Sequence, residues 1–266
     1  MNDIITFFGL KQLPFNKTIK SKDALETEAL RECSARLDYM KRHRGIMLLT
    51  GDPGAGKTIA LRRFVDSLNE NVYRPVYTPL TTLSSFDLLR HISNKLGLKT
   101  RNAKSVLFRQ IQQEFFDSKT HNGKTIVLII DEAQLLKLNP LQELRLLTNF
   151  KMDSYDPFII ILSGQSELTR IMDYAIMEPL AQRIAMRYHM PPLNQEETKN
   201  YVNVQLKLAG CSEQIFNDSA LHALYELSYG IPRKIGSMAL EAMTYAMFSN
   251  TRNIDANMIV NVKSGG

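Results

Sequence analysis

The sequence has 266 residues, of which 44% are hydrophobic and 23% charged, and its formal net charge is +6. This composition is typical of a globular protein, and the length is sufficient for one α/β domain and a small additional domain. The longest apolar runs, Ile126–Ile130 and Phe158–Leu162, have five residues each, whereas a membrane span needs about 20. The start of the chain lacks the features of a signal peptide, and Cys33 and Cys211 lie far apart. We therefore expect a cytoplasmic protein with no membrane partner.

Apolar runs separated by amphipathic segments predict an alternation of strands and helices in the first two thirds of the chain. The predicted strands cover residues 45–50, 73–78, 126–130, 158–162 and 188–190. The predicted helices cover residues 24–40, 61–68, 84–96, 102–117, 139–150 and 177–187, and we expect Asn139 and Pro140 to open the fifth. Strands that alternate with helices form right-handed βαβ units, so the predicted fold is α/β with a parallel sheet flanked by helices.

The pair Pro191-Pro192 is the predicted domain boundary, because every segment after it has a helical pattern. These helices are predicted over residues 194–209, 218–228, 232–248 and 255–262. We therefore divide the chain into an N-terminal segment and helix over 1–44 that pack on the core, an α/β core over 45–192, and a helical domain over 193–266. The aromatic residues Phe7, Phe8 and Phe15 are expected to pack on the core, where hydrophobic anchoring alone explains them.

A phosphate-binding loop follows the first predicted strand, where the sequence fits the pattern G-x-x-x-x-G-K-[ST]. Glycines at this spacing let backbone N–H groups turn toward phosphate oxygens at the start of a helix. The lysine reaches the β- and γ-phosphates and the threonine hydroxyl binds Mg²⁺. An apolar strand before the loop and a helix after it favour this interpretation over a surface turn. The predicted ATP-binding residues are Gly51, Asp52, Pro53, Gly54, Ala55, Gly56, Lys57, Thr58 and Ile59.

Two carboxylates, Asp131 and Glu132, follow the third predicted strand. Asp131 fits the Walker-B position, acting on Mg²⁺ directly or through its water, so Thr58 and Asp131 are the predicted metal ligands. Glu132 is suited to orient or deprotonate an attacking water. Acidic residues also follow strands as helix N-caps, but the phosphate loop upstream favours the catalytic interpretation.

With both motifs present, the chain resembles AAA+ ATPases, and more narrowly the ExeA/GspA-like group and transposition ATPases of the TnsC/TniB/MuB type. The resemblance covers nearly the whole chain and implies a P-loop AAA+ core with a C-terminal helical lid. Beyond the phosphate loop, it is carried by Phe7-Phe8-Gly9-Leu10, Pro14-Phe15, Asp131-Glu132-Ala133-Gln134, Ser163-Gly164-Gln165, Leu180–Ile184 and Gly230–Ile235.

The resemblance implies three further catalytic positions. Gln165 occupies the position of sensor 1, near the γ-phosphate, although a polar residue also commonly ends a strand. Arg183 matches the arginine finger that reaches the nucleotide of a neighbouring subunit, with Arg187 as a competitor, although solvated arginines of a predicted helix have the same pattern. Arg233 matches sensor 2 on the lid, where Gly230 precedes a helix start that would aim it.

The group to which the chain is similar implies a function in DNA transposition. We expect an ATP-dependent regulator that assembles as a ring or helical filament on double-stranded DNA and recruits or activates a transposase. The alternative is an ATP-switched protein-interaction module of a secretion or signalling complex without DNA contact. A helicase is disfavoured, because no second RecA-like domain is visible in the 266 residues.

Five candidate DNA contacts lie around the two ends of the fourth predicted helix. They are Lys99, Arg101, Lys104, Lys119 and Thr120. The resemblance implies that AAA+ assemblies turn these segments toward a central channel. Lysine, arginine and threonine suit phosphate contacts, which provide affinity without sequence choice. Ordinary solvated loops have the same composition, so this assignment depends on the resemblance.

Overall fold

The sheet consists of five strands, each seven residues long, in the computed structural model. They are β1 (Gly45–Gly51), β2 (Tyr73–Pro79), β3 (Thr125–Asp131), β4 (Phe158–Gly164) and β5 (Ile184–Met190). The strand order is β2-β3-β4-β1-β5, and every neighbouring pair is parallel. The predicted α/β class with a parallel sheet is confirmed.

The structure describes residues 2–16, 19–79, 84–99, 101–121, 123–152, 154–211 and 213–264, and within them helices connect the strands. The helices of the first part are α1 (Asn2–Phe8), α2 (Glu28–His43), α3 (Lys57–Asp66), α4 (Ser85–Lys95), α5 (Lys104–Thr120), α6 (Leu138–Leu147), α7 (Ser166–Met172) and α8 (Glu178–Ala181). The C-terminal helices are α9 (Gln195–Leu208), α10 (Asp218–Ser228), α11 (Pro232–Phe248) and α12 (Ala256–Ser264). None of the described helices is long and apolar enough to cross a membrane.

Burial explains why the three central strands are the clearest in the sequence. Every residue of β1, β3 and β4 is buried, as expected for strands covered on both faces of a parallel sheet. The edge strands β2 and β5 alternate between buried and more exposed residues instead. One sheet face packs on α4, α5 and α6 through a cluster that includes Leu128, Ile160, Ile111, Phe115 and Leu144. Burial of each such side chain contributes about 1.5–3 kcal/mol.

The predicted helix over 177–187 is wrong in its second half. A short 3-10 turn, Ala175–Met177, leads into the four-residue helix α8, and β5 already begins at Ile184. Met177, Leu180 and Ile184 have a helical spacing, which explains the error. From Ile184 onward, however, more buried residues alternate with exposed ones, which is the period of a strand. Helix α6 also begins one residue before Asn139, with Lys137 at its N-cap.

Two units make up the described chain: residues 32–51 with 60–190, and residues 1–31 with 52–59 and 191–266. The second unit has its own apolar core, in which Ile4 and Phe8 of α1 belong to the same cluster as Ala239 and Met243 of α11. The N–H of Lys11 also donates to the carbonyl of Ala209 at 2.7 Å. The first residues, which we expected on the α/β core, therefore pack with the C-terminal helices. Apolar packing between segments so distant in sequence has no local signature.

Candidate nucleotide-binding site

The phosphate loop begins where β1 ends at Gly51 and continues into the first turn of α3 at Lys57. Within the loop, the N–H of Ala55 donates to the carbonyl of Asp52 at 3.1 Å. The Lys57 ammonium is largely buried and donates to the same carbonyl at 3.0 Å. The lysine is therefore folded over the loop at the N-terminus of α3, the end of a helix that favours anions.

Arg233 of α11 contacts this loop. Its N–H donates to the carbonyl of Gly54 at 3.4 Å, and its guanidinium-bearing side chain is exposed. Gly54 has φ +89°, and a Cβ at this position would collide with Cβ of Arg233. A glycine is thus required here both by the backbone conformation and by the close approach of α11. The structure places the predicted sensor 2 arginine beside the phosphate loop.

The Asp131 carboxylate at the end of β3 is buried and held by two hydroxyl groups. Ser163 Oγ, on β4, donates to Oδ1 at 2.8 Å, and Tyr77 Oη, on β2, donates to Oδ2 at 2.9 Å. Burial, together with the negative charge of Asp131 and Glu132, raises the pKa of Tyr77 to about 12, so its phenol stays a donor at neutral pH. Tyr77 belongs to no motif that we identified, and only its alternation within β2 placed it on the sheet.

Glu132 has an exposed carboxylate and a left-handed backbone conformation, with φ 54° and ψ 36°. Its Oε2 accepts a hydrogen bond from Gln134 Nε2 at 2.7 Å. Gln165 follows β4, and its N–H donates to Oε1 of the same Gln134 side chain at 3.1 Å. The ends of β3 and β4 lie at one edge of the sheet because the strands are parallel neighbours. Asp131, Glu132 and Gln165 are therefore brought together at this edge.

The predicted arginine finger lies at the opposite edge of the sheet. Arg183 directly precedes β5 and donates to the carbonyl of Arg145 at 3.3 Å and to Thr148 Oγ1 at 3.1 Å. These residues line a cavity of about 450 Å³ that also includes Asp156. A strand of this length spans about 20 Å, so Arg183 does not reach the carboxylates of its own sheet. Arg187 is exposed on β5 and donates to a backbone carbonyl at 3.3 Å.

The candidate DNA contacts fall into two groups at the two ends of α5. Lys99 and Arg101 are exposed before the helix, and Lys104, its first residue, forms an ion pair with Glu143 at 2.5 Å. Lys119 and Thr120 are the last two residues of the helix, and Lys119 is about 23 Å from Lys104 by helix geometry.

The second group is the more constrained of the two. Burial and the neighbouring Arg44 lower the pKa of Lys119. The Thr120 hydroxyl donates to the carbonyl of Phe116 at 2.8 Å. Lys119 is therefore less accessible than Lys99, Arg101 and Lys104 of the first group.

A phosphate loop, a carboxylate pair after the third strand and a sheet of this order define a P-loop ATPase fold of the AAA+ class. The sequence profile described as the AAA domain matches residues 40–172, half of the 266 residues. The chain belongs to this family.

Two relatives of this chain are named for different processes, one for secretion and one for the activation of target DNA. General secretion pathway protein A of Aeromonas hydrophila is 34% identical over 251 residues, covering 93% of this chain and 46% of that protein. The ATP-dependent target DNA activator B of Escherichia phage Mu is 29% identical over 124 residues, covering 46% of this chain and 37% of that protein. The chain thus spans less than half the length of these two relatives.

Among solved structures, a chain of Drosophila ORC bound to DNA superposes with a TM-score of 0.72 and 16% sequence identity. The match covers 98% of this chain and 65% of that one. At this identity, the similarity shows that the fold is shared.

Proposed function

We propose that this AAA+ protein hydrolyses ATP to ADP and phosphate with Mg²⁺ as its cofactor. The proposal is carried by the arrangement at the end of β3, where the buried Asp131 carboxylate accepts hydrogen bonds from two hydroxyl groups and the next residue, Glu132, is exposed. Carboxylate and hydroxyl oxygens are the ligands that Mg²⁺ prefers, and Asp131 and the exposed Thr58 supply them. When bound, the ion neutralises charge on the phosphate oxygens.

Each candidate residue has a defined part in this proposal. Backbone N–H groups within residues 51–59, where only Pro53 has none, bind phosphate oxygens. Lys57 exchanges the neutral Asp52 carbonyl for a charged phosphate oxygen, which makes a stronger hydrogen bond. Glu132 accepts a proton from the attacking water or orients that water. Gln165 and Arg233 bind the γ-phosphate and stabilise the charge that develops there.

Arg183 acts in a second copy of the chain. It lies at the sheet edge opposite to Asp131, so a role on a transferring phosphoryl group requires another subunit. This supports a homo-oligomer, either a ring or a helical filament, in which Arg183 or Arg187 completes the neighbouring site. The network around Arg183 keeps its guanidinium near the cavity surface rather than extended into solvent.

The assembly that we propose binds double-stranded DNA and recruits or activates a transposase. The similarity to the target DNA activator of phage Mu and the net charge of +6 support this role. The similarity to General secretion pathway protein A is higher and covers more of the chain, which favours the second candidate, an ATP-switched protein-interaction module of a secretion or signalling complex.

Duplex DNA should stimulate ATP hydrolysis if the first candidate is correct. The variants Lys99→Ala/Arg101→Ala and Lys119→Ala change the two ends of α5 separately, and Lys207→Ala is a control because this exposed lysine lies on α9. We expect the plot of log affinity against log salt to flatten by about 0.9 per lost phosphate contact in at least one α5 variant and not in the control.

Two results would contradict the proposal at different points. An unchanged salt slope in both α5 variants would assign the DNA contacts to other residues. Absence of any stimulation by DNA, with tight binding to a protein of the secretion apparatus, would establish the second candidate function.

A further inference from the structure

The side-chain amide of Gln134 connects the residues that follow two neighbouring strands. Gln134 lies in the 3-10 turn Ala133–Leu135, directly after the carboxylate pair. Its Nε2 donates to Glu132 Oε2 at 2.7 Å, and its Oε1 accepts from the N–H of Gln165 at 3.1 Å. Both ends of one planar amide are thus used, so its orientation is set by the two bonds together.

Gly164 provides the space that this amide occupies. A Cβ at position 164 would lie 2.6 Å from Gln134 Oε1 and 2.9 Å from Leu168 Cδ2. Both distances are shorter than atoms tolerate without movement. The glycine before Gln165 is therefore explained by the side chain of Gln134, since the backbone at Gly164 does not have positive φ.

The Glu132 carboxylate depends on Gln134 for its position. Its backbone is left-handed, a conformation that residues other than glycine adopt rarely, and its side chain is exposed. Within the described ranges of the chain, Gln134 is the hydrogen-bond donor to this carboxylate. The bond engages Oε2 and leaves Oε1 to accept from another molecule.

We infer that Gln134 is a positioning residue for ATP hydrolysis, which fixes the Glu132 carboxylate and connects it to the backbone of Gln165. The inference rests on the proposed function, because it assumes that Glu132 acts on the attacking water. A displacement of Gln165 by the γ-phosphate changes the acceptor end of the amide and therefore the orientation of Glu132. Through its hydrogen bond to Glu132 Oε2, the Gln134 amide then determines where Glu132 Oε1 contacts the attacking water.

Two substitutions separate the bonds. Gln134→Glu has nearly the same size and keeps an oxygen for the N–H of Gln165, but it places a second carboxylate against Glu132. Gln134→Met removes both bonds at similar volume. Gln142→Met is the control, because Gln142 is a partly buried glutamine whose amide donates at 3.4 Å to the carbonyl of Ile176.

Both Gln134 variants should lower kcat roughly 10- to 100-fold, the effect of misplacing a catalytic group by about 1 Å. KM for ATP should stay within about 2-fold, because the phosphate loop is unchanged. Gly164→Ala should show the same defect, since its Cβ displaces the Gln134 amide. Thermal unfolding is measured for each variant. If Gln134→Met does not fold, the kcat of Gln134→Glu alone tests the inference.

A double-variant experiment tests the positioning role itself. In a Glu132→Gln background, with enzyme in excess over radiolabelled ATP, the Gln134 substitutions should cause no further loss. Wild-type kcat in Gln134→Glu, or the same fold loss in both backgrounds, would overturn the inference. Wild-type turnover in Glu132→Gln alone would instead refute the proposed role of Glu132, so the two failures are distinguishable.

Discussion

The hydrogen bond from Ser163 to Asp131 gives a stability prediction with a defined size. Ser163 is fully buried, and its Oγ lies 2.8 Å from Asp131 Oδ1. A hydrogen bond to a charged group contributes about 1.5–3 kcal/mol, and water cannot replace the donor at this depth. In Ser163→Ala, Asp131 keeps the hydroxyl of Tyr77 and the N–H of Glu132. We therefore expect Ser163→Ala to lower the free energy of unfolding by an amount near the lower end of this range, about 1.5–2 kcal/mol.

Thermal unfolding measures this loss, and Ser93→Ala is its matched control. Ser93 is also fully buried, but its Oγ has no hydrogen-bond partner among the residues that the structure describes. At about 2–4 °C per kcal/mol for a chain of this size, Ser163→Ala should lower Tm by roughly 3–8 °C. Ser93→Ala should leave Tm unchanged or raise it, since it removes an unsatisfied polar atom. Equal shifts in the two variants would refute the reasoning.

Three further predictions concern the site and the helical unit. Lys57→Ala should abolish binding of a fluorescent ATP analogue, whereas Glu132→Gln should bind it and hydrolyse ATP only at a low residual rate, because an amide is no base. Mixing Arg183→Ala with Lys57→Ala should restore part of the ATPase activity, since an arginine finger raises the rate by about 10³–10⁵. Mixtures that assemble but stay inactive would contradict the role of Arg183, and Arg187→Ala would then be tested. Burial raises the pKa of Tyr201 to about 12 from 10.0, so its contribution to stability is present below pH 10 and lost as the pH rises through 12. In an ultraviolet titration, Tyr201→Phe should have one tyrosine fewer that ionises near pH 12. An unchanged titration curve would contradict this.

The sequence was sufficient for the central part of the sheet and for the motifs beside it. Strands β1, β3 and β4 are buried on both faces, so their apolar runs are continuous and distinct from helices. The carboxylate pair was predictable because it directly follows such a run. Edge strand β5 was placed too late, because Met177, Leu180 and Ile184 have a helical spacing.

Contacts between distant segments were not predictable. The bond between Tyr77 and Asp131 joins residues 54 positions apart, and it depends on β2 and β3 being neighbours in register. The same holds for α1, whose Ile4 and Phe8 belong to the core of the C-terminal helices. The hydrogen bonds of Arg183 depend on the end of α6, which no motif connects to β5.

Prolines on the edge strand β2 restrict how copies of this chain can associate. Pro75 and Pro79 are two of its seven residues, and neither has a backbone N–H. They are four positions apart, so their backbone groups are directed to the same side of the strand. Another strand therefore cannot complete a regular hydrogen-bonded ladder along the free side of β2. Growth of the sheet from chain to chain, the route to fibrils, is disfavoured at this edge. At this edge, a filament of the kind proposed above would have to be built from side-chain contacts rather than from strand pairing.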